Sequence, residues 1–148
     1  MPTRAGAALG ERALALVRYP WRRLGFRIVF APGRPGLRAR TNTARRVITV
    51  YLRSTDTPER VAHDIAHELG HAYDARFLRG RDRRAYLARR GRPHAAWWPT
   101  AEGSDYASGA GDFAEVFALC YSPSPEFRSL LAPKPAHPCG LLRRKAKR

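Results

Sequence analysis

A chain of 148 residues suits one domain: it is long enough to bury a single core and too short for two independent ones. Its 28 Lys and Arg against 12 Asp and Glu, a net charge of +16, point to nonspecific contacts with anionic polymers, nucleic acid included. No helix-turn-helix, zinc-finger or RNA-recognition pattern accompanies that charge, which argues against sequence-specific nucleic-acid recognition as the main task, and no apolar stretch nears the roughly 20 residues of a membrane span.

In chain order, residues 8–18 (ALGERALALVR) predict a short amphipathic helix with Leu9, Ala13, Leu16 and Val17 on one side. It falls in an N-terminal helical segment of residues 1–25. Glu11 and Arg12 break the apolar run well short of a signal-peptide core, so the expected location is cytoplasmic; a piece of a longer exported protein would read the same way. Residues 26–31 alternate, with Phe26, Ile28 and Phe30 on one face, and 46–53 (RVITVYLR) are dense in β-branched and aromatic residues. Both read as strands. The Gly- and Pro-punctuated stretch between them suggests a long-looped hairpin.

The strongest helix signal follows. Thr57 suits an N-cap, Pro58 the first helical position, and Glu59 the positive end of the dipole. Val61, Ile65, Leu69 and Ala72 recur at helical spacing as far as about Leu78. Residues 79–93 are charge-dominated and read as a solvated helix or loop. A second apolar helix spans 112–121, with Phe113, Val116, Phe117 and Cys120 in register before SPSP ends it. The main domain is expected over 26–132, and 133–148 as a basic, flexible tail. Cys120 and Cys139 sit in dissimilar contexts, which predicts a small core residue and a loose thiol rather than a disulfide framework.

The chemistry concentrates in HDIAHELGHAYDARF, residues 63–77. Side chains four apart share a helix face about 5–6 Å apart, so His67 and His71 can both reach one metal ion. Glu68, one residue round the helix, is placed to touch a water on that ion and act as general base. His63 extends the stripe but lies two turns, roughly 12 Å, from His71, and reads as a cleft-wall or surface histidine. Gly70 inside the helix suggests the close passage of another backbone or a side chain kept out of the cleft. A catalytic zinc site needs a third protein ligand. Positions 74 and 77 are Asp and Phe, so no nearby third histidine exists, and Asp112 and Glu115, at i and i+3 on the second apolar helix, are the conspicuous acids.

HELGHAYD followed by DYASGAGDFAEVFALCY resembles the small gluzincin-type HExxH zinc metallopeptidases, a group that includes the catalytic domains of anthrax lethal factor and the clostridial Pro-Pro endopeptidases. The resemblance spans roughly residues 26–121. It implies an α+β, zincin-like (minigluzincin-type) domain: a small twisted sheet packed on the HExxH helix, with a second metal-site helix behind. It also implies one zinc ion on His67 and His71, with Glu68 as base. The later family motif resembles EDFAE, whereas this chain has Gly111-Asp112-Phe113-Ala114-Glu115, so glycine stands where the third ligand is expected. Either Asp112 replaces it and Glu115 supports the site from behind, or Glu115 moves onto the metal, or the site is weakened. By the same resemblance Tyr106 is the candidate oxyanion donor, with a core or loop tyrosine as the alternative. Asp74 either orients an imidazole or makes a surface salt bridge to an arginine. Trp97 and Trp98 cover the core or wall the cleft.

The expected function is that of a zinc peptidase acting on a protein or peptide, bound in part by pairing along an exposed strand edge. The alternative is a weakened metal-binding or interaction module associated with nucleic acid through its basic surface.

Overall fold

The computed structural model describes residues 1–101 and 103–142. The architecture is α+β: among the described residues there are five helices and a three-stranded mixed sheet, with α1 and α2 packed on the sheet and α4 on α2. Helix α1 (Arg4–Leu16) leads through a single 3-10 turn to β1 (Arg27–Pro32), β2 (Ala39–Asn42) and β3 (Val47–Leu52). Helices α2 (Pro58–Phe77) and α3 (Gly80–Arg89) follow, then a 3-10 turn (Asp105–Ala107), α4 (Gly109–Tyr121) and the short α5 (Pro138–Leu141).

The sheet order is β1-β3-β2. The hairpin is formed by β2 and β3, antiparallel with Thr41 opposite Ile48, while β1 runs parallel to β3 with Ile28 opposite Ile48. The expected hairpin between the first and last strands is therefore corrected. The turn that closes the observed one has Asn42 Oδ1 accepting from the Arg45 amide at 2.9 Å and Arg46 at a left-handed φ of 54°. Central β3 carries the apolar residues: Ile48, Val50 and Leu52 are buried in the core with side chains of α1 and α2, and Tyr51 is buried too. Edge strand β2 alternates half-buried and exposed positions and has no apolar signature, which is why periodicity passes over it.

Helix α2 starts as its capping residues dictate, with Thr57 Oγ1 accepting from the Arg60 amide at 3.3 Å and Pro58 in the first turn. Val61, Ile65, Leu69 and Ala72 pack into the one core, together with Leu9 and Ala13 of α1, so the N-terminal segment is part of the domain rather than an appendage. The opposite side of α2 lies against α4, and every residue from 61 to 70 is buried. Gly70 permits that approach: a Cβ there would lie 2.8 Å from Ala114 Cα and 3.1 Å from Phe117 Cβ.

Cys120 and Cys139 form a disulfide, with Cα atoms 5.0 Å apart, contrary to the reading of two unrelated thiols. It ties α5 to the end of α4, so residues 133–142 are part of the packed structure rather than a loose tail. The remainder of the expected tail, 143–148, lies outside the described residues. No helix among the described residues is long and apolar enough to cross a membrane.

Candidate metal centre

His67 and His71 project from adjacent turns of α2 toward the 3-10 turn that precedes α4. There Asp105 Oδ2 lies 2.9 Å from His67 Nε2 and 3.0 Å from His71 Nε2, and the two imidazole nitrogens are 3.2 Å apart. Two imidazoles and a carboxylate suit zinc, whose tetrahedral ligands at 2.0–2.1 Å stand about 3.3 Å from one another. The triangle is therefore the right size for one ion with a fourth position left open, and it is the metal-competent group among the described residues.

Asp105 was not among the acids expected from the sequence. Ser108 explains how it gets there: as N-cap of α4 it accepts from the Gly111 amide at 3.1 Å and donates to the Asp105 carbonyl at 2.7 Å, folding the turn onto the helix. Gly111 is the other half of the arrangement. A Cβ at 111 would fall 1.9 Å from the Asp105 carbonyl oxygen, so the space that a side chain would need is filled by the backbone that carries the carboxylate. The glycine at the expected ligand position thus accompanies a ligand supplied from six residues earlier in the chain.

Asp112, expected as a third ligand, is placed elsewhere. Fully buried, it accepts from the Tyr86 hydroxyl at 2.6 Å, from Arg90 at 2.8 and 3.0 Å, and from Ser129 at 2.6 Å. All its lone pairs serve the packing of α3 and the 129 segment against α4. Burial and the carboxylate together push the Tyr86 phenol far above its ordinary range.

Glu115 stands behind the site. Its Oε2 is 2.7 Å from His67 Nδ1 and 2.9 Å from His63 Nε2, and its Oε1 accepts the Arg128 amide. The Nδ1–H of His67 donates to it, which orients the ring and leaves Nε2, whose N–H faces Asp105 in the metal-free protein, as the nitrogen a metal would take on losing that proton. His63 is correspondingly a fully buried partner of Glu115, not a cleft-wall or surface residue. Asp74 orients no imidazole and is not at the surface: buried, it accepts from Arg83 Nε at 2.9 Å and Trp97 Nε1 at 2.8 Å. Trp97 is in the core and Trp98 is exposed, stacked under Arg83.

Glu68 faces the same cleft as His67, Asp105 and Tyr106. The Thr41 hydroxyl, from edge strand β2, donates to its Oε2 and holds the carboxylate at the cleft wall. Tyr106 lies beside the triad, its ring centroid 5.6 Å from that of His67 and its hydroxyl 3.5 Å from Arg128 Nη1. Thr41 and Arg128 were invisible to periodicity, since neither lies in a motif and both reach the site by tertiary packing alone.

The charges in the cluster are strongly coupled. Burial opposes the charged form of His67, but hydrogen bonds to Asp105 and Glu115 outweigh it and hold the imidazole well above its ordinary pKa. Burial would raise Asp105 and Glu115, yet the histidines they contact keep both carboxyls well below theirs. In zinc-free protein the raised His67 therefore stabilises the fold below its unfolded pKa, a contribution lost as pH rises through the folded value. The carboxylates contribute above their unfolded values and lose that contribution in acid. A zinc ion held here would need the His67 lone pair, so its uptake at neutral pH would release about one proton, and fewer as pH rises through the His67 pKa. An indicator dye in weakly buffered solution measures this, and release that is absent or independent of pH would contradict it.

No family model matches the chain, and no curated protein or solved structure matches it either.

Proposed function

We propose that the protein is a zinc-dependent peptidase of zincin-like fold. The observation that carries this reading is the pairing of a complete His67–His71–Asp105 donor set with a separately held carboxylate, Glu68, in one cleft. A zinc ion there would supply Lewis-acid activation of the attacking water and of the scissile carbonyl. Glu68 takes the proton of that water and returns it to the leaving amine. Thr41 orients the carboxylate by binding Oε2. Glu115 keeps His67 in the required tautomer, so substrate binding need not reorganise the imidazole. The Tyr106 hydroxyl, next to the Arg128 guanidinium in the same cleft, would donate to oxyanion charge as it develops.

A peptide is favoured as substrate because β2 is an edge strand whose outer side has no strand partner among the described residues, and its Thr41 already touches Glu68. An extended chain can lie along that edge. The complete donor triad also favours an active site over the alternative of a weakened binding module. The Cys120–Cys139 disulfide supports an oxidising compartment rather than the reducing cytosol expected from the N-terminus.

The direct test is metal analysis combined with digestion of a peptide mixture. About one zinc per chain, cleavage that a chelator abolishes, and recovery on adding zinc back are expected. Protein that is folded, zinc-loaded and inert toward every peptide would remove the peptidase reading.

A further inference from the structure

The metal-site cleft, about 470 Å³ in volume, extends along α2 toward its N-terminus, where Arg38, Arg60 and Arg128 border it. Two of the three are pinned. Asp64, only 4% exposed, accepts from Arg38 Nε at 2.8 Å on one oxygen and from Arg128 Nη1 at 3.0 Å on the other. Asp56 takes Arg38 Nη2 at 2.7 Å, and Glu126 takes Arg128 Nη2 at 2.7 Å. After these bonds Arg38 Nη1 and Arg128 Nε have no hydrogen-bond partner among the described residues. Arg60 is exposed, and its guanidinium has neither a hydrogen bond nor an ion pair among the described residues; Glu126, the acid whose pKa it influences, is already bound to Arg128.

A purely structural clamp explains Arg38 and Arg128 but not Arg60. Asp56, Asp64 and Glu126 match the three arginines in charge, so what the cluster offers an incoming carboxylate is unused donors: the whole Arg60 guanidinium, Arg38 Nη1 and Arg128 Nε.

The register follows from helix geometry. Arg60 and His67 are seven residues apart, nearly two turns, so they share a face about 10 Å apart at 1.5 Å per residue. An extended peptide covers that distance in about three residues at 3.3–3.4 Å each. We propose that the cleft recognises peptides through a carboxylate about three residues from the bond to be cut, with Arg60 as the main contact and Arg38 and Arg128 as flanking donors. The proposal rests on the peptidase reading for its register. The carboxylate is supplied either by an Asp or Glu side chain or by the peptide's C-terminus.

Isomeric fluorescent peptides, each with a single Glu moved along an otherwise neutral sequence, test this without altering net charge, so general attraction to a +16 chain cancels. Amidated and free C-termini separate the two carboxylate sources. Binding is read by anisotropy on zinc-loaded Glu68→Gln protein at about 0.15 M salt, and the cut site from wild-type digests by mass spectrometry. One carboxylate position is expected to bind about tenfold tighter than the rest, as a charge-assisted pair allows, and to lie about three residues from the cut. Arg60→Gln added to Glu68→Gln is expected to flatten that profile and Arg60→Lys to keep part of it. Equal binding of all isomers, or a preference that survives Arg60→Gln, overturns the inference. Position-dependent, Arg60-dependent binding by a protein whose wild type cuts none of these peptides would leave carboxylate recognition standing and remove the peptidase reading instead.

Discussion

Asp105→Ala is expected to abolish the proposed zinc binding while sparing the fold, and Asp112→Ala to do the reverse. Asp105 sits on a 3-10 turn with its side chain 36% exposed, and its contacts are the two imidazoles. Losing a partner that only orients a ligand costs about 10- to 100-fold in metal affinity, so losing a ligand itself is expected to cost more than about 100-fold. The effect on the stability of the zinc-free protein is expected to stay within about 1 kcal/mol, the scale of solvent-accessible ion pairs. Asp112 is fully buried and balances Arg90, whose side chain is 7% exposed. Its removal strands a buried guanidinium and the Tyr86 hydroxyl, which is expected to cost about 3–5 kcal/mol, or a melting-temperature drop of roughly 10 °C for a domain of this size. Competition with a chelating dye and thermal melts of the zinc-free proteins measure the two effects. Normal zinc affinity in Asp105→Ala would dismiss Asp105 as a ligand.

Glu68→Gln is expected to lower peptide turnover by about 10²- to 10⁴-fold, the usual contribution of a general base, while zinc content stays at the wild-type level. The side chain holds its place through Thr41 rather than through the histidines or Asp105, so the amide can keep the Thr41 contact and leave the triad intact. What it loses is the capacity to take a proton. Measuring kcat and zinc stoichiometry on the same preparation separates the roles: zinc lost along with activity would mark Glu68 as a support of the metal site, and unchanged kcat would exclude it as the base.

Much of the fold was legible because it rests on local signals. Thr57, Pro58 and the 61–65–69–72 repeat mark α2, and the apolar register before SPSP marks α4 to within a few residues of its start. Sheet topology was not legible. Parallel pairing of β1 with β3 depends on β2 filling the far edge, and Ala39–Asn42 carries no alternation by which to find it. The disulfide was equally hidden, since nothing local relates residues 120 and 139 until α5 packs against the end of α4.

Residue spacing alone sets His67 and His71 on one face about a turn apart with Glu68 beside them, because an i, i+4 spacing on a well-capped helix leaves no other arrangement. For the third donor the sequence offered Asp112 and Glu115, and not Asp105. Packing separates the three acids: Asp112 and Glu115 are drawn inward by Arg90, Tyr86, His63 and the Arg128 amide, whereas Asp105 rides on a turn that Ser108 folds into the space Gly111 leaves open. Helical spacing acts over a few residues and can be read along the chain. A carboxylate's choice between a metal site and a buried arginine depends on partners tens of residues away, and that choice exists only once the chain has packed.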